Sequence, residues 1–245
     1  MAIILFTGMA VMVFLTSLLS GIFGMAGGLV LLWMLMFIVP IQTAIMMHGF
    51  VQMVSNGSRV WFSRNYLNYH ILFVLMSGLV LSAAVLFFVD YRPNLVVVSM
   101  VIGVMPIFVW IPLDWLKLDA QRPVQAFLCG FISGALSLGI GVSGPTVDMF
   151  FIKTSIDRRT VIATKAAFQF ITHSTKVVFY WEAAMTLSAE GWFAVIAAAP
   201  IAVLGTRTGN AILHRMSNAD FRSWTRWIVT VVGAVYFIRG ILHLL

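Results

Sequence analysis

The residues best able to do chemistry lie in one apolar segment. In Lys165-Ala-Ala-Phe-Gln-Phe-Ile-Thr-His-Ser-Thr-Lys176, the residues Lys165, Gln169, His173 and Lys176 recur at i, i+4, i+8 and i+11. At 3.6 residues per turn the four fall within about 80° of one another, so a helix here carries one polar, cationic stripe on an otherwise apolar surface. Such a stripe suits a small anion: ammonium groups supply charge, while an amide and an imidazole supply directed hydrogen bonds.

The chain makes this stripe twice. Displaced by 117 positions, the four residues become His48, Gln52, Asn56 and Arg59, in His48-Gly-Phe-Val-Gln-Met-Val-Ser-Asn-Gly-Ser-Arg59. The flanks agree, Ser55 with Thr172, Val60 with Val177 and Phe62 with Phe179, and upstream Ser20-Gly21 matches Ser133-Gly134 at a slightly shorter offset. This is an internal duplication, the sequence mark of a transporter built from structural repeats.

The elements that must position the stripes are membrane helices. Of 245 residues 61% are hydrophobic and 9% charged, and the mean hydropathy of +1.02 excludes a soluble globular domain. The expected fold is therefore all-α and polytopic. Apolar runs long enough, or nearly so, to cross about 30 Å of hydrocarbon stand at 2–24, 41–63, 69–89, 94–112, 158–182, 188–206 and 224–243. Runs at 27–39, 124–138 and 142–152 are too short to span alone, and two of them come directly after glycine clusters. These clusters, Gly21-Ile-Phe-Gly24-Met-Ala-Gly27-Gly28 and Gly139-Ile-Gly141-Val-Ser-Gly144-Pro145, are expected to break helices at membrane depth, facing protein or a wet cavity.

A half-helix presents unpaired N–H groups and a positive dipole end at its start. Gly27, Gly28, Gly144 and Thr146 are thus expected to offer backbone donors to the anion that Gln52, Asn56, Gln169 and His173 orient and Lys165, Arg59 and Lys176 attract. The charged loop from Pro112 to Pro123 divides the chain into repeats over 1–115 and 123–245, each with about five hydrophobic segments, and an odd number inverts the second relative to the first. Basic residues change loops as inversion requires: Arg59 and Arg64 come after the third segment of the first half, whereas Lys153, Arg158 and Arg159 precede that of the second. Arg207, Arg215, Arg222 and Arg226 flank the last connection; on the positive-inside rule both termini are non-cytoplasmic, with Arg92 the exception.

Other chemistries find less support. The formal charge of +7 sits between apolar runs, where it sets orientation and not nucleic-acid binding. His48 and His173 have no second ligand at i+3 or i+4, so no metal is expected, and with Asp148 they are instead candidates for carrying a proton. Asp148 can equally pair with Lys165 or Lys153, and Gln52 with Gln169. The single cysteine, Cys129, has no activating partner, and no nucleophile, base and acid set stands out, so neither an enzyme nor a cofactor is expected. Trp61, Tyr66, Tyr180, Trp181 and other aromatics near segment ends read as an interfacial belt. No phosphate-binding loop is present, so an ion or substrate gradient must drive transport. The rival readings are a cation carrier working through Asp148, disfavoured by only eight acidic residues, and a membrane scaffold whose stripes serve packing. A homo-oligomer is compatible with the sequence.

At its glycine clusters the sequence resembles the TauE/SafE family of sulfite exporters, each half of which carries a Gly-hydrophobic-Gly-Gly-Gly type motif. Gly24-Met-Ala-Gly27-Gly28 and Gly139-Ile-Gly141-Val-Ser-Gly144-Pro145 occupy those places, and His48-Gly-Phe-Val-Gln52 with Ser55-Asn56 resembles the family's stretch downstream of the first motif. Ala26 replaces a motif glycine, and Val142-Ser143 interrupts the second motif. The resemblance implies a permease for sulfite, an organosulfonate or another sulfur oxyanion in a bacterial inner membrane.

Overall fold

In the computed structural model, residues 2–23, 26–110, 118–151, 154–213 and 215–244 are described. Gly24, Met25, Lys153 and the boundary loop from Pro112 to Lys117 lie outside them, as does the side chain of Arg222. The described chain is helical, with no strand. In order come α1 (Ala2–Phe23), α2 (Ala26–Leu35), α3 (Ile41–Ser63), α4 (Tyr69–Phe88), α5 (Leu95–Val104), α6 (Ile107–Trp110), α7 (Pro123–Ile140), α8 (Gly144–Phe151), α9 (Arg158–Phe179), α10 (Trp181–Met185), α11 (Ala189–Leu213) and α12 (Asn218–Leu242).

Local chemistry explains the boundaries. Asn68, Asn94, Asp157 and Ser217 cap α4, α5, α9 and α12, each accepting a hydrogen bond from a first-turn N–H. Pro123 opens α7, where its missing N–H costs nothing. Gly141 ends α7 in the left-handed region at φ 89°, which a side chain would strain.

The stripe-bearing helices α3 and α9 have the expected lengths, and the runs expected to be half-helices at 27–39 and 142–152 form α2 and α8, of 10 and 8 residues. Two expectations are corrected. The run at 124–138 forms α7, whose 18 residues are long and apolar enough to cross a membrane, as are α4, α11 and Ser223–Leu242 of α12. The run at 94–112 does not make one span. Pro106 lacks the N–H that would continue α5, and the helix stops two residues before it.

Four helix pairs hold the molecule together: α1 with α11, α4 with α7, α3 with α9, and α5 with α12. Small residues at the crossings let the backbones meet, as membrane helices without a hydrophobic driving force require. Gly21 lies against Thr206 and Gly209, and Gly205 against Phe14 and Ser17, so α1 and α11 run parallel. Gly78 meets Phe127 and Gly130 while Gly134 meets Leu79 and Ser82, so α4 and α7 are also parallel. In contrast Gly49 faces Lys176 and Gly57 faces Phe170, which makes α3 and α9 antiparallel. Gly103 against Phe237 and Gly240 against Met100 make α5 and α12 antiparallel as well. Gly27 lies against Thr16 and Ser20, so α2 folds back onto α1. The start of α2 is thereby buried inside the bundle.

Candidate functional site

The antiparallel crossing of α3 and α9 brings the two stripes face to face, and the starts of α2 and α8 close the space beside them. A cavity of about 40 Å³ results, lined by Gly28 and Leu29 of α2, by His48, Gln52, Asn56 and Arg59 of α3, by Val142, Ser143, Gly144 and Pro145 at the start of α8, and by Gln169 and His173 of α9. This is room for a few waters or one small ion. Both short helices contribute residues of their first turns, Gly28 and Leu29 of α2 and Gly144 and Pro145 of α8, at the positive ends of the helix dipoles. Among the described residues, no carboxylate lines the cavity.

Its inner end is the drier one. His48 is 1% exposed and His173 8%, with ring centroids 5.6 Å apart and planes at 75°. Arg59 and Gln169 are only half-buried, so the cavity is reached from their end. Arg59 donates from Nη2 to the Ser20 carbonyl at 2.6 Å, the Asn56 amide donates to the Gln52 carbonyl at 2.9 Å, and neither Asn56 Oδ1 nor His173 Nδ1 has a partner within the protein. A Cβ at Gly28 would stand 2.9 Å from Gln52 Nε2 and 3.2 Å from His48 Nε2, so any side chain there would have to displace these two cavity groups. Gln52 and Gln169 are not bonded to each other.

Five expected site residues stand elsewhere. Lys165 forms an ion pair with Asp148, which removes both from the cavity wall. Gly27 is turned against α1, and the Thr146 N–H is taken by the Ser143 carbonyl at 3.1 Å. Lys176 is wholly buried behind the cavity, its Nζ 3.1 Å from His48 Nδ1 and donating to the Gly141 carbonyl at 2.6 Å. Which of Nζ and Nδ1 donates follows the His48 tautomer, and the other ring nitrogen, Nε2, is the one beside Gly28.

The sequence reading missed Leu29, Val142, Ser143 and Pro145 as wall residues, although the last three lie within the glycine cluster it singled out. It also missed Tyr236, whose buried hydroxyl donates to the Leu29 carbonyl at 3.1 Å and fixes α2. Tyr180, assigned to the aromatic belt, is instead buried with its hydroxyl 2.5 Å from the Leu138 carbonyl. No periodic signal separates a buried tyrosine near a helix end from an interfacial one.

The cavity thus joins one cation, two imidazoles, three amides and two half-helix starts inside an apolar bundle. No curated protein and no solved structure gives a significant match to the chain. The family described as Sulfite exporter TauE/SafE matches residues 9–236, nearly the whole length, and the chain belongs to that family.

Proposed function

We propose that this chain, a membrane transporter of the sulfite-exporter type, carries sulfite or a related sulfur oxyanion such as an organosulfonate through the cavity between α3 and α9 by alternating access. One observation carries the reading: a cavity walled by Arg59, amides, imidazoles and two helix starts, with no carboxylate among the described residues, attracts an anion and repels a cation. Gly28 and Gly144 offer backbone donors, Gln52, Asn56 and Gln169 orient the ion, and Arg59 balances its charge. His48 and His173, at the inner end, are the residues that would exchange a proton with it.

Helix pairing supports two inverted repeats, 1–115 and 123–245. The equivalent helices α3 and α9 are antiparallel, as are α5 and α12, which calls for a two-fold axis perpendicular to them and therefore in the membrane plane. Exchanging the halves converts the parallel pair α1 with α11 into the parallel pair α7 with α4. Arg64, Arg159 and Arg207 gather where α3 ends and α9 begins, through Arg159 on Tyr66 and Arg207 over Phe62, and this end is cytoplasmic on the positive-inside rule. A bacterial inner membrane is inferred from the family alone.

The test is radiolabelled sulfite flux into proteoliposomes, with and without an imposed pH gradient, for the wild type and Gln169→Ala at matched incorporation. Saturable flux that the substitution lowers about tenfold, as loss of a hydrogen bond to a charged group predicts, is the expected result. No saturable flux of sulfite, sulfate, thiosulfate or a simple sulfonate would overturn it.

A further inference from the structure

A second, wider cavity of about 240 Å³ lies beyond the inner end of the first, with Gln42 at the start of α3, Asp90 and Arg92 after α4, and Tyr180 and Glu182 after α9 among its lining residues. Its rim is open, the Asp90 and Arg92 side chains being 82% and 64% exposed. On α3, Gln42 faces this cavity and His48 the first; on α9, Phe179 faces this cavity and His173 the first. Each pair is six residues apart, so a partition about 9 Å thick separates the two spaces.

That partition is the end of α7 and the side chains that grip it. A helix leaves its last carbonyls without intrahelical partners, and here side chains from three places take them. Tyr180 donates to Leu138 at 2.5 Å, Tyr91 to Gly139 at 3.1 Å, and Lys176 to Gly141 at 2.6 Å. Tyr91 and Tyr180 line the second cavity, while Lys176 reaches His48 of the first. The gripped end leads through Gly141, at φ 89°, directly into Val142 and Ser143 of the first cavity's wall. Displacing it therefore alters both cavities together.

We infer that the second cavity is the opposite-side vestibule of the transport path, and that Tyr91, Tyr180 and Lys176 form the latch that shuts it from the central cavity. The inference rests on the transport reading for the path's purpose, but its test needs no substrate. Because the native Cys129 is buried, a Cys129→Ser background removes the one competing thiol without touching either cavity. Gln42→Cys and Ser143→Cys, made separately in that background, are treated with a membrane-impermeant thiol reagent from each face of oriented proteoliposomes. Gln42→Cys is expected to react from one face and Ser143→Cys from the other. Adding Tyr91→Phe and Tyr180→Phe keeps the rings but removes two donors, and should raise modification of Ser143→Cys from the Gln42 face by about tenfold. Should the double change prevent folding, Tyr91→Phe alone, at a half-buried position, should still raise it about threefold.

Reaction of both positions from the same face, or an unchanged rate in the tyrosine variants, overturns the latch. Absence of sulfur oxyanion flux alongside the expected labelling overturns the proposed substrate and leaves the latch standing.

Discussion

The stripe on α3 and the stripe on α9 share their spacing but not their work. All four residues of the first line the cavity, whereas of the second only Gln169 and His173 do. The contrast is sharpest at the equivalent cations Arg59 and Lys176. Each donates to a carbonyl near the end of a neighbouring helix, Ser20 of α1 and Gly141 after α7. Arg59 is half-buried and keeps a side toward the cavity, but Lys176 is wholly buried and bonds only within the protein. One copy of the position lines the cavity while the other holds its wall. A duplicated scaffold can thus be open at one end and closed at the other, which is the asymmetry that alternating access exchanges.

Removing the two cations should separate these duties with the largest effects. Lys176→Met leaves the Gly141 carbonyl buried without its donor and His48 Nδ1 without its partner, at about 1–3 kcal/mol for each group. The expected outcome is a fall of roughly 10 °C in thermal unfolding measured in detergent, with flux lost in consequence. Arg59→Met, in a wetter place, should unfold within a few degrees of wild type yet transport sulfite about tenfold to a hundredfold more slowly. Equal thermal losses in the two variants would show that Arg59 is also structural and that the comparison fails.

Glycines in the two halves give a second contrast. Gly141→Ala meets both a left-handed φ of 89° and Leu32 Cδ2 at 2.7 Å, so a loss of about 1–3 kcal/mol is expected, read as a lower unfolding temperature. Gly28→Ala meets only the ends of Gln52 and His48, which can turn aside. Its fold should hold while its apparent KM for sulfite rises several-fold, because the displaced groups are the proposed ligands. A Gly28→Ala protein with unchanged KM would take α2 out of the site.

Much of this was legible in the sequence because it depends on type and spacing. The duplication, the two stripe helices, the short glycine-led helices and the convergence of Gln52, Asn56, Gln169 and His173 come from periodicity and from the effect of glycine on a helix. Periodicity does not fix depth. The α9 stripe runs eleven steps from Lys165 to Lys176, about 16 Å of rise, so residues within one 80° face still meet different neighbours along it. Lys165 meets Asp148 because its long side chain reaches across to α8, and Lys176 meets Gly141 because α7 ends there. Both contacts are tertiary and have no local signature. Pro106 was the opposite case: a local signal was present, but the apolar run around it outweighed it.

The smallest effects test whether the α9 stripe really is divided. Lys165 and Asp148 keep 24% and 39% side-chain exposure, and a partly exposed ion pair contributes about 0–1 kcal/mol. Replacing both in Lys165→Gln with Asp148→Asn keeps size and polarity, removes the pair without leaving a lone charge, and should change sulfite flux and unfolding temperature little, flux staying within about twofold. Gln169→Ala, one helical turn from Lys165, should cost about tenfold in flux. A tenfold loss in the paired variant would mean that the anion's route passes Lys165, so that the second stripe works along its whole length as the first does. Flux retained there and lost at Gln169 would confine the route to the stretch where both helices face the cavity, making the pair a brace between α8 and α9.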